Sequence, residues 1–179
     1  RLLRRSAQLA RGWAHSNLDE HPLALEVFQE LSAEEPTDLL AALGLGNSLL
    51  ALNRFDEAEM SFDAVLRVEP QNRFALAERA MLYFLRGEDD LAESGFRAAL
   101  AEAPSTYTCP YEGLGLLYLR QGRTPQAVQM LERAIDVNPS IEYRKYDALA
   151  RIRIDQGQLD DCCWNRNYRN RWISRSSWW

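Results

Sequence analysis

Residues 39–72 read LLAALGLGNSLLALNRFDEAEMSFDAVLRVEPQN, and the next stretch, residues 73–106, reads RFALAERAMLYFLRGEDDLAESGFRAALAEAPST. Laid one over the other, the two agree wherever size or backbone shape matters. Gly46 falls on Ala80, Asn53 on Gly87, Ala58 on Ala92, Phe62 on Phe96 and Pro70 on Pro104. The register extends outward in both directions. Pro36, Pro70, Pro104 and Pro139 are spaced 34, 34 and 35 residues apart, with Tyr107 as the extra residue. Ala24, Ala58, Ala92 and Ala127 keep the same beat, as do Phe28, Phe62, Phe96 and Leu131. A fixed period of that length marks a helical repeat array, whose units bury their apolar faces by stacking on their neighbours.

Each unit reads as two amphipathic helices and a turn. In residues 39–72 the apolar side chains Leu39, Ala42, Leu43, Leu45, Leu49, Leu50 and Leu52 recur at helical spacing. After Asn53 the pattern restarts with Phe55, Ala58, Phe62, Val65, Leu66 and Val68. The turn needs a residue that tolerates the left-handed conformation, and Asp19, Asn53, Gly87, Gly122 and Gly157 stand there. The periodic prolines end each second helix, while Pro22 and Pro125 fit the first turn of one. Small residues recur on the first helix (Gly12, Gly46, Ala80, Gly115, Ala150) and on the second (Ala24, Ala58, Ala92, Ala127), where two helices must pass closely.

This alternation of small residue, large residue three later (Leu49, Tyr83, Tyr118), turn residue, Ala, Phe and Pro resembles the tetratricopeptide repeat. The resemblance implies an all-α array of helix–turn–helix repeats, a right-handed superhelical α-solenoid. It covers about residues 5–157, with repeats at about 5–38, 39–72, 73–106 and 108–141 and a partial fifth over 143–157. In the first repeat His15 takes the usual large apolar place, and in the fifth Cys162 and Arg166 fall where Ala and Phe belong.

By the same resemblance, the first helices line a concave groove. The groove positions are Leu9, Trp13, Leu43, Asn47, Leu50, Phe74, Ala77, Met81, Phe84, Glu112, Leu116, Leu119 and Arg120. About half of them are expected to be partly buried between helices, with Phe74 and Phe84 the most exposed. Most are apolar, which suits a partner protein's extended or helical segment with apolar anchors, and Met81 suits an adaptable surface. The carboxylate clamp of some family members is not expected. Asn47 matches one clamp asparagine, but the second falls at Glu78, which repels a carboxylate, and Gly113 and Leu114 stand where bases are needed.

No catalytic constellation, metal site or cofactor motif is evident. His15 and His21 lack metal-ligand neighbours, Cys109 beside Pro110 reads as a helix start, and Gly44-Leu45-Gly46 lies inside a helical pattern. The three cysteines, two of them adjacent at Cys162 and Cys163, are no disulfide framework. A net charge of −5 argues against nucleic acid as a general partner.

That charge is unevenly spread. The first 161 residues hold all 26 acidic residues against 17 bases, for −9, and the last 18 hold four arginines and no acid, for +4. Residues 158–179 form an Arg/Trp-rich tail with four of the five tryptophans. It reads either as an end foreign to the array or as a segment that docks on a partner, on a membrane surface or back on the array. Membrane contact is expected only through that tail or an anchor outside these residues. The chain begins at Arg1 with no initiator Met, so compartment stays open between cytoplasm, slightly favoured, and periplasm. The expected role is a scaffold or adaptor for a protein or peptide partner. The rivals are a secretion or pilus assembly chaperone or lipoprotein-type factor, and a self-assembling homo-oligomer.

Overall fold

A computed structural model describes residues 2–101 and 107–137, which form eight α-helices and no strand. They are α1 (Leu2–Asn17), α2 (His21–Glu34), α3 (Leu39–Ala51), α4 (Phe55–Val68), α5 (Arg73–Arg86), α6 (Asp89–Ala101), α7 (Cys109–Arg120) and α8 (Thr124–Val137). The partial fifth repeat at 143–157, the tail at 158–179, Pro104, Pro139, Gly157 and the Cys162–Cys163 pair lie outside the described residues.

Local chemistry sets the helix ends. Asp38, two residues after Pro36, accepts hydrogen bonds from the Leu40 and Ala41 N–H groups at 3.0 and 3.3 Å. Asn72, two residues after Pro70, accepts one from Ala75 at 3.1 Å. Both satisfy amides that a helix start leaves without a partner. Within each pair the turn residue is left-handed: φ is +59° at Asp19 and Asn53, +81° at Gly87 and +72° at Gly122.

The periodic large residue is the keystone of each unit. Phe28, Phe62 and Phe96 are fully buried, and Leu131 nearly so, each beside its buried alanine on the second helix. Phe28 lies over Gly12 of its own repeat and over Gly44 of the next, and Phe96 lies over Gly113 of the next. A Cβ at Gly44 or Gly113 would come within 2.3 Å of the Phe28 ring or 2.2 Å of the Phe96 ring, too close for either to stay in place. One aromatic side chain therefore joins two repeats, and this makes the spacing strict. Replacing the fully buried Ala92 by Leu is expected to overpack the α5–α6 contact and cost about 1–3 kcal/mol, measured as a fall in the urea midpoint. An unchanged midpoint would remove Ala92 from that contact.

A polar staple reinforces two of the repeat junctions. The Tyr83 hydroxyl donates to Glu59 at 2.9 Å and Arg86 donates to the same carboxylate at 2.5 Å. One period later Tyr118 donates to Glu93 at 2.9 Å and Arg123 to Glu93 at 3.1 Å. At the first junction the equivalent residues are Leu49 and Leu25, both buried in one apolar cluster. The three junctions thus use two chemistries on one geometry.

Each first helix also touches the next first helix, α1 with α3, α3 with α5 and α5 with α7. No contact of that extent joins the second helices to one another. The first helices therefore form the inner row and the second helices the outer row, and the inner row lines the concave side.

Candidate functional site

Helical spacing puts one stripe of each first helix on the inner face: Leu40, Leu43, Asn47 and Leu50 on α3, Phe74, Ala77, Met81 and Phe84 on α5, and Cys109, Glu112, Leu116 and Leu119 on α7. The structure divides these side chains sharply. Leu43 and Leu50 are 5% and 8% exposed and belong to the core between α3, α4 and α5, so they leave the list of contact residues. Ala77 is fully buried. Trp13 is partly buried, edge-on to Phe28 with ring centroids 5.2 Å apart. Met81 and Leu119 are partly buried against the core.

Among the predicted groove residues, the open ones lie on α5 and α7. Phe74 is 41% exposed and Leu116 is 40% exposed. Phe84 is less open than expected, because Arg120 covers it. The guanidinium carbon stands 3.9 Å from the ring centroid, and the guanidinium donates to the Phe84 carbonyl at 2.7 Å and pairs with Asp89. Arg120 is exposed, but its charge is already committed.

Three groove residues escape the sequence reading. Tyr107 packs edge-on to Phe74, with centroids 4.9 Å apart, and extends the aromatic surface. Its signal was the single extra residue in the third interval. Leu40, 56% exposed, is the equivalent of Phe74 one period earlier, and the period alone would have found it. Arg73 stacks on Phe74 at 4.6 Å, leaving one face of that ring covered by a cation.

The electrostatics of the inner row centre on Glu78, one turn from Phe74 and one turn from Met81 on α5. It is half-buried, and the loss of water around it among the surrounding helices raises its carboxyl to about 7. Its charge reaches the Tyr107 hydroxyl, which is pushed up first by burial and then by Cys109 and Glu78. Asn47 on α3 has its side-chain carbonyl oxygen enclosed without a donor among the described residues.

Among the described residues, no three His, Cys, Asp or Glu side chains converge as metal ligands would, and no helix is long and apolar enough to cross a membrane. His15 is held by Glu20 at 2.6 Å, which explains a polar residue in that apolar place. Such a site can hold a ligand by shape, apolar contact and one carboxylate.

Family models for the tetratricopeptide repeat match residues 43–106 and 111–142. The chain belongs to the tetratricopeptide repeat family. Among curated proteins it is similar to the mouse interferon-induced protein with tetratricopeptide repeats 3, at 24% identity over 69% of this chain and 31% of that one. It also resembles the Arabidopsis thaliana protein CTR9 homolog, at 29% identity over 66% of this chain. The chain spans only 31% and 10% of the lengths of these two relatives.

Among solved structures, a thermophilic repeat protein of Thermus thermophilus superposes with TM-score 0.74, at 24% identity over 84% of this chain and 81% of that one. PilW, a type IV pilus biogenesis factor, gives 0.72, at 20% identity over 87% and 71%. The first repeat domain of Spaghetti, bound to an HSP90 peptide, gives 0.59, at 24% identity over 66% and 93%. These likenesses establish the fold, an all-α solenoid.

Proposed function

We propose that this chain is an interaction module that holds a segment of a partner protein in its concave groove, as a scaffold or adaptor. The observation that carries the reading is the apolar surface left open on the inner row. Phe74 and Leu116 stay about two-fifths exposed on successive first helices, at 41% and 40%, and Leu40, the equivalent of Phe74 one period earlier, is exposed as well. Apolar side chains grouped on a preformed concave face are costly in water, and a partner's apolar anchors would cover them. Stacked helices hold the groove before the partner arrives, so only the peptide loses conformational freedom. The Spaghetti domain bound to its HSP90 peptide supports the reading as a neighbour with the same fold. The likeness to PilW supports a second reading, a filament assembly factor, in which the held segment belongs to an assembly component.

Leu116→Glu tests the groove. It places a charge on the open inner face without entering the core, so the helical circular-dichroism signal is expected to stay while partner affinity falls at least about tenfold, the effect of about 1.4 kcal/mol. Affinity unchanged in Leu116→Glu, with the fold intact, would move the binding surface away from the inner row.

A further inference from the structure

Positions 44, 78 and 113 are the same site in three successive first helices, separated by 34 and 35 residues, and they carry Gly, Glu and Gly. The two glycines have a packing reason, since each receives the phenylalanine of the preceding repeat. Glu78 has no such reason. It brings a carboxylate to a position where its counterparts in the series bring no side chain at all.

The molecule treats its other partly buried acids differently. Burial alone would raise Glu59, but hydrogen bonds from Arg86 and Tyr83 hold it below its ordinary value. Burial would likewise raise Glu93, and Arg97, Tyr118 and Arg123 outweigh it. Glu78 makes no hydrogen bond or ion pair with any described residue. Arg73, the nearby cation on the same helix, lies on the Phe74 ring instead. An acceptor that the fold neither pairs nor needs, set between Phe74 and Met81, calls for a donor from outside. The enclosed Asn47 oxygen on the adjacent first helix is a second acceptor of the same kind. The Glu78 carboxylate repels a carboxylate-terminated ligand, and both oxygens, as acceptors, complement a guanidinium or ammonium group.

We propose that the groove takes a peptide bearing an arginine or lysine, whose cation pairs with Glu78 while flanking apolar residues cover Phe74 and Leu116. This rests on the groove reading above and adds the partner's charge to it. Arginine fits best, because its planar fork offers several donors and is less strongly hydrated than an ammonium.

The test is selection of short random phage-displayed peptides on the full chain, on Glu78→Gln and on Leu116→Glu. Titration of the best peptide and of its Arg-to-citrulline form follows. Peptides with a basic residue between apolar ones are expected. Citrulline should cost the wild-type chain about tenfold in affinity and the Glu78→Gln chain almost nothing. Enriched peptides that are neutral or acidic, lost with Leu116→Glu yet indifferent to Glu78→Gln, would overturn the charge assignment and keep the groove. Peptides indifferent to both substitutions, or none retained, would overturn both readings. Self-association of the chain abolished by Glu78→Gln would give the groove to a second copy, whose residues 162–179 carry four arginines, and would overturn the external peptide.

Discussion

Phe62→Ala is expected to lower the unfolding free energy by about 3–5 kcal/mol, the usual cost of emptying a fully buried aromatic site. Ordinary domains are stable by only about 5–15 kcal/mol, so this is a large share. The location makes the effect severe. Phe62 lies against Gly46 and sits in the cluster that joins α3, α4 and α5, in the middle of the array. Stability in a repeat array is a sum of repeat and neighbour-interface terms, and this substitution weakens both at once. Urea unfolding followed by circular dichroism should therefore show a lower midpoint and a broadened or two-step transition. Phe62→Leu, which keeps most of the volume, should recover the greater part. A loss below about 1 kcal/mol, within what volume-conserving core swaps cost, would deny Phe62 its keystone role.

The second large effect is a stabilisation, and it has a pH signature. Glu78 titrates at about 7 in the folded chain against 4.5 for the unperturbed group, because ionising it there means charging an enclosed site. The folded state holds the proton where the unfolded state has lost it. The contribution of Glu78 to stability is therefore highest below 4.5, falls as pH rises toward 7, and is level above that. Glu78→Gln removes this slope. At 1.36 kcal/mol per pH unit, the substitution should stabilise the chain by up to about 3 kcal/mol above pH 7, less whatever hydration the groove allows the carboxylate. Near pH 4.5 the two proteins should melt together. Comparing them at each pH cancels the opposite trend from Glu59 and Glu93, whose lowered values favour folding above the carboxylate range. Equal thermal midpoints at alkaline pH would mean that Glu78 is well hydrated. A gain in stability together with a loss of cation preference in the same variant would mark Glu78 as a residue that serves binding at a cost to the fold.

Much of the architecture was legible because it is local or periodic. Asp19, Asn53, Gly87 and Gly122 announced their turns through residue type, since few side chains tolerate positive φ, and the structure has all four there. Ala24, Ala58 and Ala92 announced close helix passages, and all are fully buried. The candidate groove was less legible. Phe84 and Phe74 look alike in the sequence, yet Arg120 from the next repeat, 36 residues away, closes over Phe84. Nothing near Phe84 in the chain reports that contact. The staples of Tyr83 on Glu59 and Tyr118 on Glu93 were hidden for the same reason, being bonds across 24 and 25 residues between side chains that each look ordinary on an amphipathic helix.

The sequence by itself determined the repeat, its period, its turn residues and its family, because each follows from short-range sterics and from one unit having to fit the next. It also placed Leu43, Ala77, Leu116 and their partners on one inner stripe, since helical spacing is enough for that. The tertiary structure alone decided which of those stripe residues meet water. Leu43 is buried in the core cluster that α3 shares with its neighbours, whereas Leu116 stands open on α7. Burial is a property of the neighbours' shapes as well as of the residue, and those neighbours arrive only when the helices stack.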